Sequence, residues 1–138
     1  MKNIALIWIL LASADLFAQN QNISNGIYFD GEPYLSINPV DSRHMVVAWM
    51  GYVPLNQITI KTKASFDGGQ SWSSAIIVPH TNPLYTSADP SLEFDGNGNV
   101  FLSYVDYSAP LDSGSVFIRK STDGGLSWNS PVEVINMH

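Results

Sequence analysis

Two carboxylates stand at matching places in this chain. Glu32–Pro33 and Asp89–Pro90 each open one copy of a repeated pattern. An ionised carboxylate accepts hydrogen bonds and donates none, so it suits the hydroxyls of a sugar or a bound cation. Two carboxylates at a suitable separation also suit glycoside hydrolysis. The plainer expectation is that each acid bonds neighbouring backbone amides where its strand begins. A second pair of acids lies inside two near-identical octapeptides. Ser-Phe-Asp-Gly-Gly-Gln-Ser-Trp spans Ser65 to Trp72, and Ser-Thr-Asp-Gly-Gly-Leu-Ser-Trp spans Ser121 to Trp128. Here every residue type has a folding role. Consecutive glycines, ending at Gly69 and Gly125, adopt backbone angles closed to other residues. Asp67 and Asp123 can accept from the turn's own amides. Ser65 with Ser71, and Ser121 with Ser127, can tie the two ends of the turn. Trp72 and Trp128 can then bury a large ring against the following strand.

Other chemistry is sparse. His44, His80 and His138 show no metal-ligand spacing. Cysteine is absent, which excludes disulfides and thiolate sites. Asp95 to Asp106 places oxygens as a calcium loop does, but Val100 stands where glycine is required, so a hairpin turn is expected. No Gly-x-Ser-x-Gly elbow and no phosphate-binding glycine loop occurs. No metal and no cofactor is expected. Trp49, Tyr85 and Tyr107 can stack on sugar rings where exposed, although packing is the more common use of such residues.

The charge balance narrows the partners. Six Lys and Arg against twelve Asp and Glu leave a net charge of −6, with no basic footprint for nucleic acid. An anionic membrane surface is equally unsuited to it. Hydrophobic residues at 45% are enough for a packed core. The start of the chain, with Lys2, the apolar run Ile4–Ala12 and then small and polar residues, has the layout of a secretory signal peptide over residues 1–18. The apolar run is too short to span a bilayer, and no cysteine near the cut allows a lipid anchor. A secreted, periplasmic or cell-surface location is therefore expected.

The elements that must hold these residues are strands. Period-2 alternation between Gly, Asn and Pro turns predicts strands near 33–37, 44–51, 57–65 and 74–79, and again near 90–94, 99–105, 114–121 and 131–135. The expected fold class is all-β, as two four-stranded antiparallel units. Residues 19–29 form a lead-in, 30–80 the first unit and 81–138 the second. Tandem four-stranded units are the mark of a β-propeller, in which each blade covers its neighbours. Two blades do not close a ring. The expectation is an incomplete ring, completed by further blades of a longer chain or by other copies.

The octapeptides resemble the Asp-box, or bacterial neuraminidase repeat, Ser/Thr-x-Asp-x-Gly-x-Thr/Ser-Trp. Two matches in register with a repeated unit make the resemblance specific, over roughly residues 30–136. It implies a sialidase-like β-propeller with the box at the blade periphery, away from the ligand pocket. In that arrangement Glu32 and Asp89 are channel-mouth acids. Sialidases also carry three arginines and a Phe-Arg-Ile-Pro type motif. This chain has only Arg43 and Arg119, and its nearest text is Tyr28-Phe-Asp-Gly-Glu-Pro33. No catalytic residue is carried over. The expected function is a secreted propeller scaffold that binds glycans or extracellular proteins. The alternatives are an exo-sialidase or other glycoside hydrolase with its catalytic groups largely elsewhere, and a short self-assembling repeat protein.

Overall fold

The computed structural model describes residues 20–54 and 57–137. The expected signal peptide and His138 lie outside these residues. Eight strands form two four-stranded antiparallel sheets, with the strands of each in chain order. The first sheet contains β1 (Asp30–Ile37), β2 (Met45–Val53), β3 (Gln57–Ser65) and β4 (Ile76–Ile77). The second contains β5 (Tyr85–Phe94), β6 (Val100–Ser108), β7 (Gly114–Ser121) and β8 (Val132–Asn136). No helix among the described residues is long and apolar enough to cross a membrane.

The expected strands all form, and one is much shorter than expected. β4 keeps only two residues of the anticipated six. Ser73 explains its late start, because its hydroxyl takes the Ala64 N–H at 3.0 Å, which a ladder carbonyl would otherwise accept. Pro79, with no N–H, ends the pairing after Val78 N–H reaches Ile60 O at 2.8 Å.

The sheets pack face to face. Val46, Ala48, Met50, Ile60 and Ala64 of the first meet Leu92, Phe94, Val100, Leu102 and Tyr104 of the second in one buried cluster, with Val78. The alternation on β6 makes this possible: Val100, Leu102, Tyr104 and Asp106 are buried, while Phe101, Ser103 and Val105 on the other face are half-buried. β2 is buried on both faces from Val46 to Gly51. Its second face, carrying Val47 and Trp49, lies beside lead-in residues Gln21 to Ser24. Lys63 Nζ donates to Ile23 O at 2.7 Å and holds that segment down.

Both octapeptides are the turns that follow the third strand of each sheet, and their hydrogen bonds repeat. Ser65 Oγ donates to Asp67 Oδ1 at 2.8 Å and accepts from Gly69 N–H at 2.9 Å. Asp67 also accepts from Ser71 N–H at 2.9 Å and from Ser71 Oγ at 2.5 Å. In the second turn Ser121, Asp123, Gly125 and Ser127 repeat this pattern at 2.7, 2.8, 2.9 and 2.5 Å. Glycine is required at both central positions, with φ of 77° and 86° in the first turn and 79° and 88° in the second.

The two turns differ in what they touch. The second lies on the first sheet. Gly124 O accepts from His44 Nε2 at 2.9 Å, and Trp128 Nε1 donates to Thr62 Oγ1 at 3.0 Å. His44 Nδ1 faces the Asn38 amide at 3.0 Å, and the ring stacks on Phe66 at 4.5 Å. An amide N–H can only donate and a carbonyl can only accept, so His44 sits as the neutral tautomer with its proton on Nε2. The first turn instead reaches the lead-in, where Trp72 Nε1 donates to Gln21 Oε1 at 3.2 Å.

The turn carboxylates contribute to the acid limit of stability. The Ser71 hydroxyl and amide, with Ser65, hold the Asp67 carboxyl down to about 2. Burial pushes Asp123 up, but the hydroxyls of Ser127 and Ser121 and the turn amides outweigh it and leave it lowered. A carboxyl with a folded value below its unfolded value stabilises the fold fully above the unfolded value, and less as pH falls through the folded one. Melting temperature should therefore hold above pH about 4 and drop between about 4 and 2. Asp123→Asn should flatten that drop. An unchanged profile in this variant would remove the turn from the account of acid stability.

Candidate functional site

The acid–proline pairs build β-bulges. Gly31 pairs with Met50 and Tyr34 with Ala48, so Glu32 and Pro33 together oppose the single residue Trp49. Ala88 pairs with Val105 and Ser91 with Ser103, so Asp89 and Pro90 oppose Tyr104. Proline suits a bulge because its missing N–H breaks no ladder bond. Glu32 and Asp89 both have left-handed backbone, with φ of 51° and 53°. Side chains other than glycine, asparagine and aspartate seldom adopt that region, so Glu32 in particular is strained. The opposed aromatics are anchored by hydrogen bonds. Trp49 Nε1 donates to Asp30 Oδ1 at 2.9 Å, and Tyr104 OH accepts from Arg119 Nε at 2.9 Å.

These bulges bring the two acids to one hollow. β1 and β5 face each other across the joint between the sheets. Glu32, Asp89, Tyr107 and Ser113 supply the polar lining of a cavity of about 500 Å³, with Met50, Val105, Leu111 and Met137 among its apolar walls. Both acids are exposed. Among the described residues no hydrogen bond or ion pair engages either carboxylate. The expected bonds to neighbouring amides are thus absent, and the acids stand as open acceptors. Among the described residues no lysine or arginine lines the cavity. Tyr85 OH meets Ser113 Oγ at 3.0 Å and steadies the rim. Of the three aromatics considered for stacking, Tyr107 lines the cavity, Tyr85 supports it, and Trp49 is 4% exposed and belongs to the interior.

The turn residues Ser65, Asp67, Gly69, Ser71 and Trp72, and Ser121, Asp123, Gly125, Ser127 and Trp128, take no part in this cavity. Neither do the arginines. Arg43 is exposed and pairs with Asp41 at 3.4 Å. Arg119 is buried and gives its N–H groups to Tyr104 OH and to the carbonyls of Asn129 and Pro79.

One polar cluster had no counterpart in the sequence reading. Asp106, fully buried, accepts from Ser87 Oγ at 2.5 Å, Thr81 N–H at 2.6 Å and Thr81 Oγ1 at 2.9 Å, and faces His80 Nδ1 at 3.3 Å. Serine, histidine and aspartate together suggest a nucleophile triad, but the geometry excludes a relay. Ser87 Oγ and Asp106 both meet His80 at Nδ1, whereas a relay needs them on opposite ring nitrogens. The cluster instead fastens the connection after β4 to the second sheet. Burial raises the Asp106 carboxyl, but bonds from His80, Ser87 and Thr81 outweigh that and hold it below its usual value. No group of three or more histidine, cysteine or acidic residues suited to a metal occurs among the described residues.

No protein-family model matches the chain, and no curated protein matches it in sequence.

Two predictions separate the bulge acids from the buried one. Glu32→Gly and Asp89→Asn should leave stability within about 1 kcal/mol of the parent, because both replacements tolerate left-handed backbone. Asp106→Ala should cost about 3 kcal/mol, because it strands the buried Ser87 hydroxyl and removes the anchor of the Thr81 and His80 donors. Urea melts measure both. A large loss from the bulge variants, or none from Asp106→Ala, would reverse these roles.

Proposed function

We propose that this chain is part of a secreted, sialidase-like Asp-box β-propeller scaffold, and that the Glu32–Asp89 cavity binds a neutral, hydroxyl-rich glycan. The observation that carries this reading is the pair of open carboxylates on one hollow, beside Tyr107. Sugar hydroxyls donate to carboxylates, and the C–H faces of a sugar ring pack on tyrosine and on apolar walls. The paired turns, the two antiparallel sheets and the aromatic opposite each acid support the propeller reading. The apolar leader supports export.

The electrostatics favour one class of glycan. An acidic sugar brings a third negative charge to a cavity that, among the described residues, is lined by two acids and no base. Recognition of a sialic acid carboxylate relies on bidentate arginine, and both arginines are engaged elsewhere. A glycoside hydrolase is the second reading, because the same two carboxylates line one cavity.

Calorimetric titration with neutral and sialylated oligosaccharides tests the proposal. Neutral glycans should bind, and Asp89→Asn or Glu32→Gln should weaken them at least tenfold, about 1.4 kcal/mol. Binding confined to sialylated glycans, or unaffected by both variants, defeats it. Turnover of fluorogenic neutral glycosides, lost in Asp89→Asn, would establish the hydrolase.

A further inference from the structure

The two sheets can be superposed residue by residue through their ladders. Ser65 and Ser121 open the two turns, Met45 pairs with the first and Val100 with the second, and Ile37 and Phe94 pair with those in turn. The buried face of the first sheet, Val46, Ala48, Met50, Ile60, Thr62 and Ala64, therefore corresponds to Phe101, Ser103, Val105, Val116, Ile118 and Lys120 of the second. In the first sheet this face lies against its neighbour, with Val46, Ala48 and Ile60 fully buried. In the second sheet it is only half-buried. It carries an open groove of about 490 Å³ lined by Phe101, Ile118, Lys120 and Val132.

The opposite end shows the complementary mismatch. Leu92 and Phe94, covered by the first sheet, are 1% and 5% exposed, whereas their counterparts Leu35 and Ile37 are each 50% exposed. The second sheet's outer face thus repeats one half of the joint found in the middle, and Leu35 and Ile37 expose the margin of the other half, whose centre at Val47 and Trp49 is already buried. Trp72 and Trp128 fit the same scheme. Trp128 needs Thr62, across the joint, for its indole N–H. Trp72 is already met by Gln21 of its own chain. At the place corresponding to Thr62 the second sheet carries Ile118, which offers no acceptor and needs none to receive Trp72.

We infer that the outer face of the second sheet is a docking surface for a second copy of this chain, which joins head to tail through Leu35, Ile37 and the Trp72 turn of its first sheet. The contact is heterologous: two different patches meet, repeating the internal joint. Lead-in residues Gln21 to Ser24 stay over Val47 and Trp49, so the incoming copy engages the part of the first sheet they leave uncovered. The inference is independent of the glycan reading.

Sedimentation of the purified chain over a range of concentrations tests it. The parent should exceed monomer mass at tens of micromolar. Ile118→Glu removes one end and Ile37→Glu the other. Each variant alone should be a folded monomer by circular dichroism, and an equimolar mixture should form a one-to-one dimer, because one intact end of each kind remains. A parent that stays monomeric overturns the inference. So does a mixture that fails to pair, or an Ile37→Glu variant that self-associates, which would mean like faces meet.

Discussion

One close approach organises the molecule. Gly124 and Gly125 lie so near the first sheet that a Cβ on the former would fall 2.9 Å from the His44 ring, and on the latter 2.7 Å from Val46. Only glycine fits, and only in the left-handed conformation that the Asp123 carboxylate stabilises by gathering the turn's donors. Once the turn is set, Gly124 O meets His44 and the Trp128 indole meets Thr62. The apolar faces then close between them. A loop that looks local to its own sheet is therefore the clasp between two sheets.

The cavity depends on that clasp. Its two acids come from different sheets, and neither sheet forms the hollow alone. The Asp106 cluster adds a second fastening, because the connection after β4 must follow one path for β5 to face β1. Donor-saturated and open carboxylates are thus different residues. Asp67, Asp123 and Asp106 are saturated with donors. Glu32 and Asp89 are left open.

Much of this was legible in the sequence because the signals are local and occur twice. The octapeptide implied a glycine turn closed by its own aspartate, and alternation located all eight strands. Acid–proline before an alternating run marked a special strand start, but one sequence does not show that the two residues oppose a single aromatic. That is a statement about register. His44, His80 and Asp106 were opaque for the same reason. The partners of His44 and Asp106 are separated from them in the chain, Gly124 by 80 positions and Ser87 by 19. Nothing in residue spacing distinguishes a histidine that clasps two sheets from one on the surface. The short β4 depended on a single serine hydroxyl competing with a carbonyl.

The left-handed backbone at Glu32 and Asp89 constrains how such a site can diversify. A position in this conformation accepts glycine, asparagine and aspartate readily and penalises branched side chains. Sequence drift at the rim is therefore channelled toward short, oxygen-bearing groups, whatever the ligand. The bulge acts as a chemical filter: a scaffold that repeats it in each sheet offers matching positions already biased toward hydrogen-bond acceptors. New specificities then arise by choosing among a few polar letters, without redesign of the sheets that carry them.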